Sequence, residues 1–413
     1  MLANAYPFGS WEPFLEAEVG HWQGFDKIVI FSLSVRQDQM HLQRHVPSGV
    51  EVRPIRYRSR AFYAIQAIRT IFDSNLYREL RRLTTARKLT PPRLLALLVF
   101  LSRSHHEATI IRKYLDKNMD PQESMLVYAY RFAYQPYIVH LLKRHRDLTA
   151  IARAHGSDLY EEHSPSNYLP LRRECASAVD EIHAVSEHGA NYLRKQLGGF
   201  GHTKVHVSRL GSRDALPAIP PDASEPFRIL TCSSIVRVKR LDRLVEALHL
   251  MKARPIVWTH FGDGPLRRTL EISANDLGDN VALDFRGEVS NRDFLRILST
   301  DQFHVLANVS ESEGIPVSIM EACSAGIPIV ATNVGGTSEA VFNGHNGLLI
   351  DPHGLPGQIA AALTAIADLH PNDYLAMRTN SRAVWEKSFD GSQNYSRFAR
   401  RMLTLAQREG AVT

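Results

Sequence analysis

From Arg228 onward the chain repeats one short rhythm, in which apolar runs alternate with amphipathic ones. The apolar runs are Arg228–Cys232, Ile256–Phe261, Val281–Arg286, Phe303–Ala307, Pro328–Ala331 and Gly347–Ile350. Between them, helical periodicity is read over Arg240–Lys252, Pro265–Leu277, Asn291–Leu298, Pro316–Ser324 and Ser338–Phe342. Strands joined through helices build an α/β fold with a doubly wound parallel sheet.

The first half carries the same grammar less regularly. Lys27–Leu33, Ser124–Tyr128, Leu148–Ala152, Glu181–Val185 and Lys204–Val207 predict strands, and Tyr134–Arg144 predicts a helix. Asn4–Gly9 resembles the end of a first strand and its loop, so either that strand is very short or its start lies upstream. Ser212–Phe227 (SRDALPAIPPDASEPF) has neither period and predicts a linker. The expected division is therefore 1–211, a linker over 212–227 and a second domain over 228–380, with 381–413 following it. A length of 413 residues suits two such domains.

Composition removes several function classes. With 44% hydrophobic and 22% charged residues the chain is neither disordered nor collagen-like. Cys175, Cys232 and Cys323 stand far apart with no CxxC pair, so they cannot make a zinc site by themselves and give no disulfide framework, and a reducing cytoplasm is the natural setting.

Loops that follow strands carry the chemistry in open α/β sheets. Ser310–Ala322 (SESEGIPVSIMEA) sets Glu313 and Glu321 seven residues apart, with Gly314 after the first. Pro316 suits the first turn of a helix, so backbone N–H groups near Gly314–Val317 would face outward as an anion site. An acidic loop and a solvated helix glutamate explain the spacing equally well. Ser233–Leu241 (SSIVRVKRL) brings Arg237, Lys239 and Arg240 to a sheet edge, where they could neutralise a diphosphate; an exposed basic helix start is the plainer alternative. Phe261–Leu266 (FGDGPL) and Gly335–Gly336 are glycine turns that let backbone approach a ligand, or ordinary tight turns.

The order of these segments resembles one family, the retaining GT-B glycosyltransferases of family four. The resemblance runs through KRLDRLVEAL (239–248), FGDGPLRRTLE (261–271), FRGEVSNRDF (285–294), SESEGIPVSIMEACSAGIPIVATNVGGTSE (310–339) and NGLLIDP (346–352). In the first half, PFGSWEPFLEAEV (7–19), RAHGSDLYEE (153–162), AVSEHGANYL (184–193) and KVHVSRLG (204–211) resemble members that build bacterial surface polysaccharides. Ser381–Phe398 looks like the family's helices that cross back to the first domain.

The resemblance implies a GT-B fold, two Rossmann-like domains facing across a cleft. It implies that Glu313 contacts the donor sugar, that Glu321 holds the nucleotide ribose and that Lys239 contacts the donor diphosphate. Gly314, Ile315 and Pro316 would face sugar and phosphate, Glu288 and Val289 would frame the base, and Arg237 would add charge. His155 of the HG pair would lie near the sugar, and Gly9 belongs to the first phosphate-side loop. Where the family usually carries an arginine five residues before the lysine, this chain has Ser234. No metal or other cofactor is implied.

The expected partners are a nucleotide-diphospho-sugar and a glycan or lipid-linked acceptor. From Arg53 to Arg103 basic residues greatly outnumber Asp73 and Glu79, the only acids there, which implies an anionic neighbour. Apolar Leu94–Leu101 overlaps this block, so a helix with a basic flank could rest on anionic lipid at the inner face of the membrane. No apolar run approaches the roughly 20 residues of a membrane span, and Met1–Gly20 lacks the basic start of a signal peptide. Nucleic acid is not expected, since no aromatic interleaving accompanies the basic block. Two rivals remain: a nucleotide-sugar epimerase, and a GT-B-like protein that binds a nucleotide sugar without turning it over.

Overall fold

The computed structural model describes residues 1–9, 11–156, 158–222 and 226–407. The chain forms two compact units, one of Met1–Ser208 with the residues from Tyr395 onward, the other of Arg209–Asn394.

In the first unit the strands are β1 (Leu2–Ala3), β2 (Ile28–Val35), β3 (Val50–Arg56), β4 (Leu126–Ala129), β5 (Thr149–Ala154), β6 (Glu181–Ala184) and β7 (Val205–Val207). They make one parallel sheet ordered β3-β2-β1-β4-β5-β6-β7. β1 has only two residues yet occupies the centre, with Leu2 opposite Phe31 on one side and Ala129 on the other. The loop after it is fixed by buried Glu12, whose carboxylate accepts N–H bonds from Asn4, Ala5 and Tyr6 at 2.9–3.0 Å.

The stretch between β3 and β4, read from sequence only as helical, holds a 28-residue helix, Pro91–Asn118. Against the expectation of no span-length segment, this helix is long and apolar enough by length and composition to cross a membrane. Its apolar residues are divided, however: Leu97, Leu101, Ala108, Ile111 and Leu115 lie in the core. Ion pairing of Arg103 with fully buried Glu107, one turn on, keeps charge on the packed side. Within the run 94–101, Leu97 and Leu101 are buried, Ala96, Leu98 and Phe100 pack against the core, and Leu95 is exposed.

Part of the final helix, Gly391–Gln407, completes this unit's core. Tyr395, Phe398, Ala399, Met402 and Leu405 pack with Ala3, Leu15, Trp22, Tyr128 and Ile151. Beneath Phe398, at 4.0 Å, lies the guanidinium of Arg153, which is fully buried and bonded to fully buried Glu18 at 2.6 Å.

The second unit contains β8 (Phe227–Cys232), β9 (Ile256–Phe261), β10 (Val281–Gly287), β11 (Val305–Asn308), β12 (Ile329–Thr332) and β13 (Gly347–Ile350), all parallel and ordered β10-β9-β8-β11-β12-β13. Trp258 and Ile229, paired in register, anchor one layer of its core. The order reverses between β8 and β11, which places the topological switch point there.

Two local features differ from the sequence expectation. Ser338–Phe342 is not an α-helix but follows a single 3₁₀ turn, Thr337–Glu339. The Asn346 side chain takes the Phe342 N–H at 2.7 Å and bonds the Ala340 carbonyl at 2.9 Å, which consumes the groups a longer helix would need. The proline-rich stretch after Ser212 lies along the second unit: Ala218 N–H bonds Ala325 O at 3.0 Å, and Asp214 pairs with Arg382.

Candidate functional site

Four loops meet at the carboxyl edge of the second sheet, knitted by close backbone contacts. Gly262, at φ +130°, passes so near the loop after β8 that a Cβ would lie 2.0 Å from Ser233 O. Gly264 likewise abuts Ile235, whose N–H bonds Asp263 O at 2.8 Å. The loop after β11 joins the loop after β8 where Glu311 N–H donates to Val238 O at 2.8 Å. Gly335, at φ +53°, lies against Glu313, so that a Cβ there would stand 1.9 Å from the Glu313 carbonyl oxygen, and Gly336 N–H bonds Gly314 O at 2.7 Å. The glycine pair thus makes a backbone-to-backbone approach that sets the Glu313 loop, where the sequence allowed either approach to a ligand or an ordinary tight turn.

On this frame the switch point brings two expected residues into contact. Lys239 closes a 3₁₀ turn, Arg237–Lys239, after β8. Its Nζ lies 2.6 Å from Glu313 Oε1, and both side chains remain partly accessible. Arg240, at φ +49°, starts the helix Leu241–Leu250 and is engaged by Asp242. Arg237 is exposed and has no side-chain partner among the described residues. Ser234 is exposed on the same loop.

Glu321 behaves differently. It sits inside the helix Val317–Ser324, capped by Pro316, and is buried. Desolvation pushes its carboxyl up to about 7, opposed by a hydrogen bond from Asn291 Nδ2. Cys232, at the end of β8, feels both Glu321 and Lys239, so the three expected groups share one locality. Sequence reading missed Asn291; the only available signal was that a buried carboxylate must find a donor.

Between the two glutamates the backbone is open. A Cβ on Gly314 would meet nothing within 4 Å. The N–H groups of Glu313, Gly314 and Ile315 have no acceptor among the described residues. Pro316 is buried and Ile315 partly so. Such donors at a helix start, beside a lysine, can hold an anion. Glu288 and Val289 are exposed just after β10, where Gly287 O accepts from Gly262 N–H at 2.8 Å, and Ser290 then caps the helix that carries Asn291. Nine of the expected residues thus fall in the second unit.

The other two belong to the first unit. Gly9, at φ +65°, lies in the loop after β1 and bonds Leu42 O at 2.9 Å. His155 follows β5, with Nδ1 3.5 Å from Asp158 Oδ2 and its ring 4.7 Å from that of Tyr130. Burial lowers its pKa, and its Nε2 is buried without a hydrogen-bond partner. Nδ1 is likewise without a hydrogen-bond partner, so both ring nitrogens are buried polar groups that a ligand could satisfy. No cluster of metal-ligating side chains occurs among the described residues.

Comparison with known proteins gives the same fold over nearly the whole chain. Anabaena HepE, solved in complex with UDP and glucose, superposes with a TM-score of 0.67 at 16% identity, covering 98% of each chain. The lipopolysaccharide outer core galactosyltransferase WaaB superposes with a TM-score of 0.67 at 14% identity, also covering 98% of each chain. These are GT-B structures, and the α/β fold is shared with them. In sequence the chain is similar to the putative colanic acid biosynthesis glycosyltransferase WcaL of Escherichia coli, 24% identical over 57% of this chain and 59% of that one. It is also similar to the putative teichuronic acid biosynthesis glycosyltransferase TuaC of Bacillus subtilis, 31% identical over 48% of this chain and 50% of that one. The similarity thus spans between half and three fifths of the length of these relatives. Residues 212–384, the greater part of the unit that holds Lys239, Glu313 and Glu321, match the family model of the glycosyl transferases group 1.

Proposed function

We propose that the chain is a glycosyltransferase of polysaccharide biosynthesis that moves a sugar from a nucleotide-diphospho-sugar to a glycan or lipid-linked acceptor, with retention of configuration. The observation that carries this reading is the Lys239–Glu313 contact at the switch point, beside unbonded N–H groups and buried Glu321.

In this reading the donor diphosphate draws Lys239 away from Glu313, with Arg237 and the start of helix Val317–Ser324 sharing its charge in place of a metal ion. Glu313, released, accepts hydrogen bonds from sugar hydroxyls. Glu321 accepts from the ribose while Asn291 holds its other side. The bond from the anomeric carbon to the diphosphate oxygen breaks through an oxocarbenium-like state, and the acceptor oxygen bonds the same face of that carbon. The acceptor proton passes to the departing diphosphate oxygen. Charge grows on that leaving group as the bond breaks, so a fixed cation there lowers the barrier more than it tightens the ground state.

The test is transfer by purified protein from UDP-, GDP- and ADP-sugars to a lipid-linked acceptor, with the product anomer read by NMR. A product with the donor's anomeric configuration supports the proposal. An inverted product removes retention. Donor binding without transfer or hydrolysis would leave a protein that binds a nucleotide sugar without turning it over, and donor isomerisation without an acceptor would leave an epimerase.

A further inference from the structure

The basic block is organised around a feature that the sequence did not single out. The chain from 60 to 72 is helical, α over Arg60–Gln66 and 3₁₀ over Ala67–Phe72. Its inner side is Tyr63, Ala67 and Thr70, all buried. Its outer side is Ala61, Ala64, Ile65, Ile68, Ile71 and Phe72, all exposed. Ile65 is 74%, Ile68 71% and Phe72 88% accessible. A surface helix ordinarily turns polar residues outward, and clustered large apolar side chains in water mark a contact surface.

Charge around this ridge has one sign. From 57 to 93 the only acids, Asp73 and Glu79, are buried and bonded internally, to Tyr137 and to Tyr168. Tyr77, itself exposed, lies back on the ridge through a 2.7 Å bond to Ile71 O. Arg81 follows it one turn later on the helix Ser74–Thr85 and therefore shares its side. Arg81, Arg87 and Lys88 are exposed without an ion-pair partner among the described residues.

We propose that the ridge Ile65–Ile68–Phe72, with Arg81 on the neighbouring helix and Arg87 and Lys88 just past that helix's end, is a docking surface for a bilayer rich in anionic lipid. Apolar side chains standing out from a helix, with unpaired cations at their flank, match a surface that offers acyl chains below and negative headgroups above. This moves the lipid contact from Leu94–Leu101, where Leu97 and Leu101 are buried and Ala96, Leu98 and Phe100 pack against the core, to the segment before it. The surface is independent of the transfer reading, because vesicle binding is measured with neither donor nor acceptor present.

The experiment is flotation of the full chain with phosphatidylcholine vesicles, with and without phosphatidylglycerol. At low salt the protein floats only with the phosphatidylglycerol-containing vesicles, and added salt releases it. Arg81→Ala/Arg87→Ala/Lys88→Ala lowers partitioning about a hundredfold. Ile68→Ser/Phe72→Ser lowers it at least about tenfold, whereas Ile219→Ser, an exposed apolar site of the second unit, leaves it unchanged. Circular dichroism confirms that each variant is folded. Absence of binding at low salt, equal binding to both vesicles, or wild-type binding by both ridge variants overturns the proposal. So does a dimer in light scattering that Ile68→Ser/Phe72→Ser dissociates, since a second copy then covers the ridge.

Discussion

Lys239 Nζ and Glu313 Oε1 lie 2.6 Å apart at the point where the second sheet reverses its strand order. Each group is thereby the other's partner until a ligand replaces it. Glu313→Gln removes the competitor for Lys239, so binding of a free nucleoside diphosphate should tighten about two- to fivefold, the worth of an accessible ion pair. Transfer by the same variant should fall by roughly two orders of magnitude, because sugar contacts are lost. Calorimetric titration and initial rates separate the two effects; weaker nucleotide binding by Glu313→Gln would show that the pair is not in competition with the diphosphate.

Buried Glu321 makes stability depend on pH. Its carboxyl is held up near 7, against 4.5 for an ordinary glutamate. Below pH 4.5 both folded and unfolded chains carry the proton, and its contribution is fully present. As pH rises towards 7 the unfolded chain releases the proton while the folded chain keeps it, so stability falls, by about 3 kcal/mol in all. Glu321→Gln should abolish that fall. Thermal unfolding of both proteins between pH 4.5 and 7.5 checks it.

Gly335 holds the site from behind. Gly335→Ala sets a methyl 1.9 Å from Glu313 O at φ +53°, so the Glu313 loop must move. A cost of about 1–3 kcal/mol is expected, with transfer lost as well. Gly344, at φ +76°, has nothing within 4 Å. Gly344→Ala should therefore cost about 1 kcal/mol and leave transfer intact. Equal transfer by the two variants would contradict the positioning role.

Glu18 and Arg153 are both fully buried, 2.6 Å apart. Glu18→Ala leaves an uncompensated guanidinium under Phe398 and should cost about 3–5 kcal/mol. Urea denaturation followed through first-unit fluorescence measures it, and a change below about 1 kcal/mol would argue that water reaches Arg153.

The second sheet was legible because each of its strands is a buried apolar run with a helix behind it, and the pattern from Arg228 to Ile350 repeats without interruption. β1 escaped a firm reading since two residues carry no period; it is a strand only because β2 and β4 flank it. The exposed ridge at Ile65–Phe72 was not legible, because periodicity says which residues share a face, and only packing says which face is inside. Lys239 and Glu313 could be placed on adjacent loops, but their ion pair depends on Gly335 and on the Glu311–Val238 bond. Asn291 had no signal of its own, being a donor recruited from the start of the helix Asn291–Thr300 to a carboxylate thirty residues on.

The central claim is that Lys239, Glu313 and Glu321 form a nucleotide-sugar site. Calorimetric titration of the wild-type chain and Lys239→Ala with UDP, GDP and ADP and their sugars tests it most directly. At least one nucleotide should bind the wild type, and Lys239→Ala should weaken that binding at least about tenfold, the loss of one charge-assisted contact. Failure of every nucleotide to bind the wild type, or equal binding by Lys239→Ala, would contradict it.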